Sequence, residues 1–132
     1  MIIVDTSAWV EFDRATGSAT DRRLTKRIRD GGVDIAGTEP VLMEVLAGAR
    51  DDRRRDDLRR LITSFGWVPV DAVADFEGAA HIYGACRARG ITPRGLIDCM
   101  IVNVAIRTGS SLLAADRDFE TIASVVPLQL AR

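Results

Sequence analysis

Aromatic side chains are scarce: four Phe, two Trp and one Tyr amount to 5% of 132 residues. The core must therefore be built from Leu, Ile, Val and Ala rather than from stacked rings. Histidine occurs once, at His81, and cysteine twice, at Cys86 and Cys99, in separate apolar stretches and without a CxxC pair. That pattern excludes a Cys/His zinc site and a disulfide framework, and predicts free buried thiols in a reducing compartment. Charge of one sign is also lacking, with eighteen basic residues against nineteen acidic ones. No global basic field attracts nucleic acid, so any RNA contact has to come from a local patch or through bound cations. The longest uncharged apolar stretch, 99–106, falls far short of the roughly 18 residues of a membrane span. Ile2-Ile3-Val4 runs into Asp5 without the basic region of a signal peptide, so a cytoplasmic location is expected.

Lysine is nearly missing as well: Lys26 is the only one beside seventeen arginines. Guanidinium forks suit phosphate oxygens, but the total reads as a compositional bias and only individual arginines keep the phosphate reading. What the chain has in quantity is apolar residues, 47% of it, enough for one domain over 1–132 with a core of its own. Short apolar runs alternate with helical ones, the pattern of an α/β fold with a mainly parallel sheet. Strands are predicted at 2–4, 33–36, 67–70, 112–115 and 128–130, with Pro69 marking the third as an edge. Helices are predicted from Thr6-Ser7 to about 14, and over 18–29, 39–48, 51–64, 72–89, 92–108 and 119–124. The 72–89 helix places Phe76, Ala79, Tyr83 and Cys86 on one face. In the charged stretch 51–64, Asp51/Arg55 and Asp56/Arg60 at i,i+4 predict a solvated, salt-bridged face, with an RNA-binding patch as the alternative.

Four acids stand apart from the mixed-charge stretches. Asp5 and Asp116 each follow an apolar strand, at the carboxyl end where open parallel sheets bind ligands. Glu44 is the only charge between Val41 and Ala49. Asp98 precedes Ile101, Val102 and Ala105 at i+3, i+4 and i+7, which places it mid-helix on the inward face. Asp5 and Asp116 also read as helix N-caps, whereas Glu44 and Asp98, as mid-helix residues, do not. Stranded carboxylates repel one another and must be neutralised. A hard divalent cation does that, and all-oxygen ligands select Mg2+ or Mn2+ over zinc.

The ordered set Ile3-Val4-Asp5-Thr6-Ser7-Ala8-Trp9, Glu39-Pro40-Val41-Leu42-Met43-Glu44-Val45-Leu46-Ala47-Gly48, Leu96-Ile97-Asp98-Cys99-Met100-Ile101 and Asp116-Arg117-Asp118-Phe119 resembles the PIN-domain ribonucleases, and within them the VapC-type toxins of type II (VapBC) toxin–antitoxin pairs. The resemblance spans essentially the whole chain. It implies a three-layer α/β/α fold with four to five strands, and an endoribonuclease that hydrolyses RNA, tRNA or rRNA, by metal-activated water. Asp5, Glu44, Asp98 and Asp116 would hold Mg2+ (or Mn2+), with Thr6 or Ser7 orienting a ligand or water and Asp118 in the outer site. Arg94 and Arg117, which flank these acids, are candidates for the RNA backbone, with a surface ion pair as the other reading. The resemblance further implies a VapB-type antitoxin that blocks the site and binds DNA. It also implies a homodimer, for which the helices around 40–48 and 76–86 offer apolar faces.

Other classes fit less well. An aspartate-nucleophile phosphatase needs a second acid two residues after Asp5, where Ser7 stands, and a phospho-acceptor receiver domain needs a late lysine. A catalytically silent PIN fold that only binds RNA or protein is the remaining alternative, and the intact acids argue against it. His81 reads as a helix-surface residue, and Trp9 and Trp67 as core or interface rather than base-stacking platforms.

Overall fold

A computed structural model describes all residues, 1–132. Four short strands, β1 (Ile2–Val4), β2 (Ile35–Gly37), β3 (Gly66–Trp67) and β4 (Ser111–Leu113), form one sheet in the order β3-β2-β1-β4. Every pairing is parallel, with Ile3 opposite Ala36 on one side and Leu112 on the other. Around the sheet lie α1 (Thr6–Asp13), α2 (Ala19–Arg29), α3 (Glu39–Gly48), α4 (Asp52–Thr63), α5 (Ala72–Ala88), α6 (Leu96–Thr108) and α7 (Asp118–Ala123). The chain steps outward from β1 to β2 to β3, then returns to place β4 on the far side of β1. Strand order therefore reverses between β1 and β4, and a crevice opens at their carboxyl ends.

Local chemistry sets the helix ends. Ser18 caps α2 by accepting from Asp21 N at 3.1 Å, and Asp21 reaches back to Gly17 N at 2.9 Å, a reciprocal cap. Asp51 and Asp71 cap α4 and α5 in the same way. Pro40 lies in the first turn of α3, where its missing N–H costs no hydrogen bond. Gly109, at φ 66°, ends α6 in the left-handed conformation that side chains with a Cβ disfavour. One contiguous core gathers the buried faces, from Ile3, Val4, Ile35 and Leu112 of the sheet to Trp9, Leu24, Ile62, Ile101 and Phe119 of the helices. Trp9 packs edge-on to Phe12 and stacks on Phe65, a core residue as expected.

Helix α5 packs mainly on α6, and the contact is close: a Cβ at Gly78 would lie 2.3 Å from the Asn103 side chain. Between the two helices sits Asp75, fully buried. It accepts from Arg107 Nη2 at 2.7 Å and Nε at 3.0 Å, from Asn103 Nδ2 at 2.8 Å and from Asp71 N at 2.8 Å. Burial alone pushes this carboxyl up, but Arg107, Asp71 N and Asn103 together hold it below its ordinary value.

Several predicted details differ. The edge strand is two residues long and ends before Val68–Val70, although Val68 N still donates to Gly37 O. The expected strand at 128–130 is a single bridge between Leu112 and Leu130. Phe76 does not share the buried face of α5; it is 60% exposed, and Asp75, Ala79, Ile82 and Cys86 point inward instead. Within α4, Arg55 pairs with Asp52 and Arg60 with Asp57 at i,i+3 rather than in the expected i,i+4 pairs, and Asp51 is used as the cap instead of pairing with Arg55. Helix α1 is capped by Asp5, one residue before Thr6-Ser7. Helix α6 starts at Leu96 rather than near Pro93, which puts Asp98 in its first turn and not mid-helix. No helix is long and apolar enough to cross a membrane.

Candidate active site

Asp5 leaves β1 at the crevice, its own N–H tied to Leu113 O at 2.8 Å, and its side chain is 3% exposed. One carboxylate oxygen, Oδ2, accepts from Ser7 N at 2.9 Å and Ser7 Oγ at 2.6 Å. The same Ser7 hydroxyl accepts from Ala115 N at 2.9 Å and Asp116 N at 3.2 Å. One side chain thus joins the β1–α1 turn to the loop after β4, across the reversal in strand order. The other Asp5 oxygen, Oδ1, is buried and has no hydrogen-bond partner. Buried carboxylate oxygens are ordinarily satisfied, so this unpartnered atom suits a cationic ligand.

Glu44 projects from α3 and accepts from Thr6 Oγ1 at 2.7 Å. Asp98 enters from the first turn of α6, where free N–H groups favour a negative charge. One oxygen from each of Asp5, Glu44 and Asp98 lies within 4.8 Å of the others. Asp116 is the exception among the four singled-out acids. It lines the same cleft of about 230 Å³, but its carboxylate is held by Arg94 Nη1 at 3.1 Å. Arg94 also reaches Asp118 at 3.5 Å while remaining 69% exposed, so the ion-pair reading of this arginine is the observed one. Asp118 N donates to Asp116 Oδ1 at 2.9 Å. Arg117 is exposed at the start of α7, outside the cleft lining.

The electrostatics follow from this crowding. Burial raises the Asp5 carboxyl, against the lowering by Ser7. Asp98 is pushed up to about 6, first by burial and then by the charges of Asp5, Glu44 and Asp116, with Arg94 opposing. A carboxyl raised in the folded state favours folding below its unfolded value near 3.8, and that contribution is lost as pH rises through about 6. At neutral pH the ionised Asp98 thus counts against the folded state. Three convergent carboxylates, an orphaned buried oxygen and no nitrogen or sulfur donor fit Mg2+ or Mn2+. The Ser7 bridge and the Arg94 clamp were not legible as contacts, since both depend on how the loop after β4 folds back.

Carboxylates gathered where the strand order of a parallel α/β domain reverses make an acidic site at the place where such sheets bind ligands. The chain belongs to the PIN-domain family, whose model matches residues 2–125. It is 43% identical over 131 residues to ribonuclease VapC11 of Mycobacterium tuberculosis, covering 99% of this chain and 98% of that protein. In structure it is similar to VapBC2 of Rickettsia felis bound to a DNA fragment from its promoter, with a TM-score of 0.76, 17% identity and coverage of 99% and 98%. It is also similar to VapC20 of M. tuberculosis, described as a sarcin-ricin loop cleaving toxin, with a TM-score of 0.71, 22% identity and coverage of 98% and 99%. At those identities the two structures speak for the fold.

Proposed function

We propose that this protein is a divalent-cation-dependent endoribonuclease, the toxin of a toxin–antitoxin pair, working as one domain over 1–132 in the cytoplasm. The observation that carries this reading is the Asp5, Glu44, Asp98 cluster with Asp5 Oδ1 buried and unpartnered. Full-length identity of 43% to a named VapC ribonuclease supports the substrate class. Asp5, Glu44 and Asp98 would hold Mg2+ or Mn2+, with Asp116 completing the site from across the cleft. When bound, such an ion offsets phosphate repulsion, acidifies a water and stabilises charge on the leaving oxygen.

The chain's own groups do the rest. Ser7 fixes one oxygen of Asp5 and leaves the other without a hydrogen-bond partner, and Thr6 orients Glu44. One carboxylate of the cluster accepts the proton of the attacking water. Arg94 holds Asp116 and Asp118 in place and, being exposed, is positioned to exchange that contact for a phosphate oxygen. Arg117 is a second, more distant candidate for the RNA backbone.

The partner is a small VapB-type antitoxin that covers the acidic cleft and binds DNA, a reading supported by the similarity to VapBC assemblies. A homodimer is part of the same proposal. Met43 and Phe76, 52% and 60% exposed, border an apolar groove of about 380 Å³ with Val70, Ile97 and Met100, on the faces of α3, α5 and α6. Purified protein is expected to cleave structured RNA with Mg2+ or Mn2+, to stop in EDTA and to resume when the ion is restored. Cleavage that persists in EDTA contradicts the metal reading, and no cleavage with either ion contradicts the ribonuclease reading.

A further inference from the structure

An acidic cleft repels phosphates, and a bound ion and Arg94 offset that only at the reacting group, so the rest of an RNA strand calls for a basic surface beside the cleft. We propose that the RNA strand running from the cleft is carried along a basic stripe on α2, where Arg23 and Lys26 hold its phosphates. This inference rests on the ribonuclease reading and adds the substrate path to it.

Adjacency of the surfaces is the first observation. Asp116 lines the acidic cleft and also a second, shallow cavity of about 60 Å³, which Arg23 borders. Arg23 in turn borders a groove of about 280 Å³ lined by Lys26, Arg27 and Asp30. Asp116, Arg23 and Arg132 each line two of these cavities, which sets α2 on the side of the cleft that Asp116 forms.

Charge is the second observation. Residues 23, 26, 27 and 30 lie at i, i+3, i+4 and i+7, one stripe of the helix. Over Ala19–Arg29, α2 carries Arg22, Arg23, Lys26, Arg27 and Arg29 against a single acid, Asp21, which is buried and occupied in capping. Arg23 makes no ion pair. Lys26 pairs with Asp30 at 2.6 Å, but the two side chains are 75% and 59% exposed, and such a pair is weak and readily exchanged for a phosphate. Arg27 pairs with Asp34 at 2.6 Å at the far end of the stripe.

The most arginine-rich segment, α4, is the poorer candidate. Its Arg54 is paired with Asp13, Arg55 with Asp52 and Asp56, and Arg60 with Asp57. Those guanidinium groups already have carboxylate partners, and neither they nor the unpaired Arg53 and Arg59 line the cavities that border the cleft.

The test compares Arg23→Gln/Lys26→Gln with an equal charge change on α4, Arg53→Gln/Arg59→Gln. Binding of a labelled hairpin RNA is measured against salt in the Asp98→Asn background, and steady-state cleavage in the otherwise native chain. The α2 variant is expected to raise KM about tenfold with kcat retained, and to reduce the slope of log K against log salt by about 1.4, two phosphate contacts in single-stranded RNA. The α4 variant is expected to leave both close to native. An unchanged KM and slope in the α2 variant, or an equal loss in the α4 variant, overturns the proposal. So does a stripe whose neutralisation releases an acidic peptide such as poly-glutamate but not the hairpin, which marks a protein-binding face. Failure of the native protein to cleave RNA at all removes the ribonuclease reading, whereas the salt slope still reports separately on the stripe.

Discussion

Asp98→Asn is expected to abolish RNA cleavage while making the cation-free protein more stable. The loss should be about 10³-fold or more, since removing a charged ligand forfeits several kcal/mol of transition-state stabilisation. The gain in stability has the opposite cause. At neutral pH the native Asp98 is ionised against burial and against Asp5, Glu44 and Asp116, which raise it to about 6. The neutral amide of similar shape removes that repulsion. The two changes are separable in one preparation, by cleavage assay and by thermal unfolding in EDTA. A variant that loses activity and also melts lower is merely misfolded, and one that cleaves at the native rate has lost nothing the chemistry needs.

The second large effect concerns the scaffold. Asp75→Ala removes the acceptor of three side-chain hydrogen bonds and one backbone hydrogen bond between α5, α6 and the turn before α5. Deleting one member of a buried ion pair costs about 3–5 kcal/mol. Arg107 is 33% exposed and can partly rehydrate, which argues for the lower end of that range. The expected fall in unfolding midpoint is about 10 °C for a domain of this size. Because the folded-state value of Asp75 is lowered, this contribution is present at neutral pH and fades only as pH falls below the ordinary carboxylate range. A midpoint within two degrees of native, read by calorimetry at neutral pH, contradicts this assignment.

These two acids also mark what the sequence discloses and what it withholds. Asp5, Glu44 and Asp98 were legible because each stands alone among apolar neighbours at a strand end or on an inward helix face, and local pattern suffices for that. Asp75 was not legible: it follows Ala72-Val73-Ala74 in a helix start, where an acid needs no explanation, and its partner Arg107 lies 32 residues on. Arg94 was visible as a neighbour of the acids, but its engagement with Asp116 depends on the loop before α6, which the pattern extended as helix from Pro93. Gly95 at the cap, without a side chain to close the turn, delays that helix to Leu96. The same shift moves Asp98 from mid-helix to a first turn, where the helix dipole supports its charge. The basic stripe on α2 is written in the sequence as five cations with one acid, yet only the cavity that both Arg23 and Asp116 line places it beside the cleft.

Thermal unfolding of the native chain and Asp98→Asn, with and without Mn2+, at pH 4.5 and pH 7.5 tests the carboxylate cluster most directly. Protonation through about 6 sets the sign: without the ion, the native chain should melt below the variant at the higher pH and close to it at the lower. Saturating Mn2+ at pH 7.5 should raise the native midpoint by several degrees, the shift a ligand at 100 times its Kd produces, and leave the variant nearly unmoved. Equal Mn2+ shifts in both proteins, or none in either, would contradict a dication held by Asp5, Glu44 and Asp98.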